Sequence, residues 1–111
     1  MQKVAYFENP RFGEKVQIDK TMETPFSKEI RICMAVGNVM KEHTAPGAIT
    51  IMVLTGRVTI TSMDDTVELI DGEMVCFDAN VPHSLEAHEQ SVIRLTLSKN
   101  DSVKRVISLA Q

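Results

Sequence analysis

The chain has 111 residues, 43% of them hydrophobic and 24% charged, and a formal net charge of −3. That length carries one domain with one core and one ligand-sized pocket. The mild acidity supplies no field to attract nucleic acid or an anionic membrane, and no apolar run approaches the roughly 20 residues that cross a bilayer.

The opening residues, MQKVAYFENPRFGEK, lack the continuous apolar core of a secretory signal, so a cytoplasmic protein is expected. Val4, Tyr6 and Phe7 precede a turn at Asn9-Pro10, and Val16 and Ile18 alternate with polar neighbours as a short edge strand. After a break at Thr24-Pro25, Ile30, Ile32, Met34 and Val36 alternate with Glu29, Arg31, Cys33 and Ala35. Period two marks a half-buried strand. Gly37-Asn38 punctuates it, Val39 and Met40 lead to His43, and Pro46-Gly47 turns the chain.

Ile49 to Thr55 is dense in β-branched residues and reads as a strand covered on both faces. Gly56-Arg57 is a tight connection to Val58–Thr61, and Asp64-Asp65 is a hairpin tip from which Thr66–Ile70 returns. Asp71-Gly72 reads as a further hairpin dipeptide, before a short apolar strand at Met74–Phe77. Ala79-Asn80 turns towards Val81-Pro82-His83. Leu85 and Ala87 then alternate with Ser84, Glu86 and His88, and Ser91–Leu97 is the last clear strand. In the tail, Asn100 or Asp101 is placed to cap a helix over Val103, Val106, Ile107 and Ala110. So short a helix is not stable alone and must dock on the barrel or on a partner subunit.

Many short strands at turn-marked intervals predict an all-β sandwich or barrel. Residues 1–28 form an arm with edge strands, 29–98 the barrel and 99–111 the tail. Two stretches answer each other within the barrel: MKEHTAPGAITIMVLTG from Met40 to Gly56, and GEMVCFDANVPH from Gly72 to His83. Each joins a histidine, a turn, an apolar run and a glycine.

Over roughly Glu29 to Leu97 these two units resemble the paired motifs of the cupin superfamily, in particular the small single-domain cupins. The segments that carry the likeness are EHTAP at Glu42–Pro46, VLTG at Val53–Gly56 and NVPH at Asn80–His83. The resemblance implies a small double-stranded β-helix, or jelly-roll, barrel with a short C-terminal helix. It also implies a homodimer paired through N-terminal strands and barrel edges. In the family the first motif supplies two histidines and a glutamate, positions held here by His43, Ala45 and Ile49. The histidine of the second motif is His83, and its usual proline is Asp78. Two of the four ligand positions are therefore kept, and the other two are apolar.

A divalent metal usually takes three or more protein ligands. Asp78, Glu42 and His88 are nearest in sequence, but strand alternation turns His88 away from His83, and Glu42 away from His43. The resemblance thus implies either a Mn, Fe, Ni or Zn ion on His43 and His83, or a metal-free pocket. Ile49, Ile51 and Val53 share a face with His43 and Ala45, as Leu85 does with His83, which predicts an apolar wall with two polar anchors. Met34, Met52 and Met74 fall in strands, where flexible thioethers fill irregular space. Cys33 and Cys76 lack CxxC spacing and read as two small buried hydrophobes. Asp64-Asp65 reads as a solvated turn, no basic patch gathers, and GxSxG, P-loop, GxGxxG and HExxH patterns are missing.

Three functions stay open: a protein that binds or senses a small molecule, a metal-dependent enzyme of dioxygenase or isomerase type, and an accessory domain with no ligand.

Overall fold

The computed structural model of the protein describes residues 1–110, in which the alternating segments form nine strands and one helix. The strands are β1 (Gln17–Glu23), β2 (Ser27–Met34), β3 (Val39–His43), β4 (Ile49–Thr55), β5 (Arg57–Ser62), β6 (Asp65–Ile70), β7 (Met74–Phe77), β8 (His83–Ala87) and β9 (Ser91–Ser98), and the helix is α1 (Val103–Ser108). A five-stranded antiparallel sheet, β1-β2-β9-β4-β7, packs against a four-stranded one, β3-β8-β5-β6. This is the expected all-β jelly-roll barrel with a short helix after it. No helix among the described residues is long and apolar enough to cross a membrane.

The core lies between the sheets. Ile30 and Ile32 of β2, Ile51 and Val53 of β4, Ile60 of β5 and Ile93 of β9 are each no more than 2% exposed. Each such side chain contributes at most about 1.5–3 kcal/mol relative to exposure.

Several expectations are corrected. The β2 strand is buried on both faces, not one, because the N-terminal arm lies over its outer side. Arg31 on that face donates to the carbonyls of Tyr6 and Glu8 and pairs with Asp19, and Cys33 is fully buried. The strand stops at Met34, which leaves Val36 exposed beside Gly37, whose φ is +86°. Cys76 is exposed rather than buried, since it aligns with Thr50 on the outer face of an edge strand. Of the three strand methionines only Met34 is in the core; Met52 and Met74 pair on the outer face, where Met74 is exposed. Asp71-Gly72 is not a hairpin, because β6 and β7 belong to different sheets. The crossover is instead tied to β4, with Gly72 N–H donating to Val53 O and Val53 N–H to Glu73 O.

On the outer face Glu29 is 5% exposed. Burial alone would raise its pKa. Hydrogen bonds from Arg94 Nε (2.9 Å), Thr96 Oγ1 (2.7 Å) and Ser27 Oγ (2.8 Å) outweigh that and hold the carboxylate below its ordinary 4.5.

The helix is capped by Ser102, not by Asn100 or Asp101; Ser102 Oγ accepts from Arg105 N–H. The Asp101 side chain is occupied elsewhere, accepting from Ser102 N–H and the Arg105 guanidinium. Val106 is buried against the barrel, with Val103, Leu109 and Ala110 packed beside it, while Ile107 is exposed.

Gly56 ends the VLTG segment at φ +115°, and a Cβ there would stand 2.6 Å from Gln90 O and 2.7 Å from Ser91 Cα. Gly56→Ala is expected to lower the unfolding free energy by about 3 kcal/mol or more. Gly72→Ala, at φ +82° but in open space, is expected to cost about 1 kcal/mol. Urea denaturation of the two variants checks this; equal losses would contradict the backbone clash.

Candidate functional site

Regular alternation along β3 does not bring its histidine inside. Met40 pairs with Leu85 and His43 with His83, so two residues of β3, Lys41 and Glu42, stand opposite one of β8, Ser84. The extra residue is a β-bulge at Lys41–Glu42. It lets Met40 and His43 share the inner side while Lys41 and Glu42 stay exposed. Asn80, in a positive-φ turn ahead of β8, donates its N–H to Ala45 O. The loop after the first histidine is thereby fastened to the loop before the second.

Both rings are oriented in the same way. His43 Nδ1 lies 2.6 Å from Lys41 O, and His83 Nδ1 lies 2.9 Å from Val81 O. A carbonyl only accepts, so each Nδ1 carries the proton and each Nε2 keeps its lone pair. Neither Nε2 has a hydrogen-bond partner among the described residues. The ring centroids are 4.3 Å apart at 68°, edge to face, and Phe77 of β7 stacks on the other side of His83 at 4.7 Å and 11°.

Burial, above all, holds both imidazoles below their ordinary pKa of 6.5; the nearby Arg105 charge adds to it for both, and His43 adds to it for His83. The hydrogen bonds to Lys41 O and Val81 O act the other way and are outweighed. Both rings are therefore neutral at physiological pH.

The histidines border a cavity of about 10 Å³, room for about one water. Its walls are Ile32, Met40, Ile49, Ile51, Leu85 and Leu95, and its roof is Arg105, Val106 and Leu109 of α1 and the residue beyond it. Of the residues predicted for a pocket, His43, Ile49, Ile51, His83 and Leu85 meet here. Ala45 and Val53 are buried but do not border the space. Ala45 sits in the loop past the end of β3, and Val53 lies two residues beyond Ile51 along β4, at the level of the β6–β7 crossover. Sequence reasoning missed Ile32, Met40, Leu95, Phe77 and the roof. Met40 was hidden by the bulge. Phe77 was legible as an apolar residue two positions from Val75. Arg105 carried no sequence signal, because its place depends on how the helix docks.

A resident metal does not fit this donor set. The two Nε2 atoms would be its only protein ligands, since no group of three or more His, Cys, Asp or Glu side chains gathers among the described residues. Ala45 and Ile49 present alkyl groups, and Glu42 and Asp78 are exposed. His88 stands apart, with its Nε2 2.7 Å from Thr59 Oγ1.

The family profile described as "Cupin domain" matches residues 30–98. Among solved structures, an RmlC-like cupin protein from Desulfovibrio desulfuricans is similar at 18% identity and a TM-score of 0.81, over 89% of this chain and 97% of its own. A protein with a double-stranded β-helix domain from Klebsiella pneumoniae superposes at a TM-score of 0.78 and 14% identity, over 92% and 94%. A cupin 2 conserved barrel domain protein from Leptotrichia buccalis is 26% identical with a TM-score of 0.70, over 86% of this chain and 44% of its own. No curated protein matches the sequence.

The depressed histidine pKa values set a pH dependence. The unfolded chain takes up these protons first, so stability is full above about pH 6.5 and is lost as pH falls from there towards the lowered folded values. The urea midpoint is expected to drop between about pH 7 and 5.5, and to drop less in His83→Phe. A flat midpoint in the wild-type protein would contradict the burial of neutral rings.

Proposed function

Because the chain belongs to the cupin domain family, we propose that it binds a small, largely apolar molecule between its sheets, held by His43 and His83. The observation that carries this reading is the pair of free Nε2 lone pairs bordering a cavity whose walls are aliphatic and whose roof includes Arg105. Neutral imidazoles with a fixed Nδ1–H accept at Nε2, so the matching ligand group is a hydroxyl or N–H donor. The aliphatic walls supply affinity through burial, and the two acceptors supply orientation. A second copy of the chain belongs to the same reading. The outer edges of β1, β3, β6 and β7 have no neighbouring strand among the described residues, and such edges need cover.

The test follows the imidazole Hε1 resonances of His43 and His83 against a panel of small alcohols, amines and amides with aliphatic bodies. Compounds that shift both resonances are expected to bind about tenfold more weakly to His83→Phe, as for one hydrogen bond to a buried group. A different result would overturn the reading in favour of a metal enzyme. That result is near one metal per chain in protein purified without tag or chelator, lost in a His43→Ala/His83→Ala variant, with turnover that requires the metal. Sedimentation equilibrium checks the partner, with twice 12.4 kDa expected for the dimer.

A further inference from the structure

The cavity beside the histidines holds about one water, and three of the eleven residues that line it, Arg105, Val106 and Leu109, lie outside the barrel. Val106 of α1 is 1% exposed, Leu109 packs against the core, and together with Arg105 they close the mouth. Any ligand larger than water must therefore displace this segment or be excluded.

The segment is held in a particular way. Asp101 is a fixed post: it is 2% exposed, its N–H donates to Ser98 O, and its carbonyl accepts from Lys28 Nζ. From that post Arg105 is gripped twice, Nε on Oδ1 at 2.8 Å and Nη2 on Oδ2 at 2.7 Å. Its remaining nitrogen, Nη1, reaches across the mouth to Thr44 O at 3.1 Å. Thr44 follows His43 directly, so one side chain spans from the helix to the loop that carries the first histidine. The helix has six residues, too few to persist without these contacts. Its outward side is polar or exposed, with Lys104, Ile107 and Ser108 facing water, so the apolar surface uncovered by releasing it is confined to Val103, Val106, Leu109 and Ala110.

We propose that α1 is a gate over the histidine cavity and that Arg105, bound to Asp101 and to Thr44 O, is its latch. The gate swings from the turn at Lys99–Asn100, leaves the two sheets intact, and exposes the Nε2 atoms to ligand. Ligand entry waits on this opening, so association is slower than diffusion onto an open pocket. The gate serves the binding reading above. Its own test uses no ligand, so failure of either is seen separately.

The reagent is diethyl pyrocarbonate, which acylates neutral imidazoles, with rates read by peptide mass on the full-length protein. His88, outside the cavity, is the internal control. In Arg105→Gln the acylation of His83 is expected to rise about tenfold or more, as for loss of charge-assisted bonds, with His88 within about twofold of wild type and the β9 amides exchanging unchanged. Unchanged His83 acylation in a folded Arg105→Gln variant would overturn the latch. So would joint acceleration of His83, His88 and the β9 amides, which marks general loosening. Should the variant fail to fold, the wild-type protein still decides. His83 acylation in sub-denaturing urea is expected to be nearly independent of urea, as for a small local opening. A slope equal to that of global unfolding would overturn the gate.

Discussion

The extra residue at Lys41–Glu42 is the constraint on which the site depends. In an unbulged β3 the residue opposite His83 would be Glu42, which would set a carboxylate against aliphatic walls, with the one nearby cation, Arg105, already paired to Asp101. With the bulge, an imidazole takes that place and its Nδ1–H goes to the carbonyl of Lys41 within the bulge itself. The local irregularity thus both aims the ring and fixes its tautomer. Val81 O does the same for His83 from the other side, and Phe77 supports that ring from β7. The site is built from backbone geometry and stacking, with no carboxylate among the described residues behind either histidine.

Much of this was legible in the sequence where one physical rule acted alone. The alternation of Ile93, Leu95 and Leu97 on β9, and of His83, Leu85 and Ala87 on β8, reads directly as inward faces. The two histidine-bearing motifs gave the fold, which matches the cupin family and its solved structures. Legibility ended where distant contacts decide. Cys33 on the outer face of β2 is buried because the N-terminal arm covers that strand, whereas Cys76 on the outer face of β7 is not. Asp71-Gly72 has the composition of a hairpin, but the partner of β7 is β4, so the chain crosses between sheets there. Arg105 looks like an ordinary solvated helix residue until the helix is seated on the barrel.

Two buried carboxylates mark the two levels of organisation. Glu29 binds Arg94 and Thr96 across the β2–β9 seam, and Asp101 binds Arg105 at the base of the helix. Such pairs are poor sources of net stability, since desolvation consumes most of the attraction. Their contribution is positional. Glu29 specifies how β2 sits beside β9, with all of its hydrogen-bond contacts matched. Asp101 specifies where the last helix begins. Their hydrogen bonds hold both carboxylates below the ordinary carboxylate range despite burial.

The strand order has a consequence for synthesis. Glu29 meets partners at positions 94 and 96, and the centre of the five-stranded sheet is β9, which lies between β2 and β4. Until residues 91–98 leave the ribosome, β2 and β4 each lack the neighbour that joins them. Until then the nascent chain must hold two unfinished sheet edges apart from each other, and from those of other chains. The barrel therefore closes only once β9 is available, and the helix that roofs the histidine cavity can settle only after it has closed.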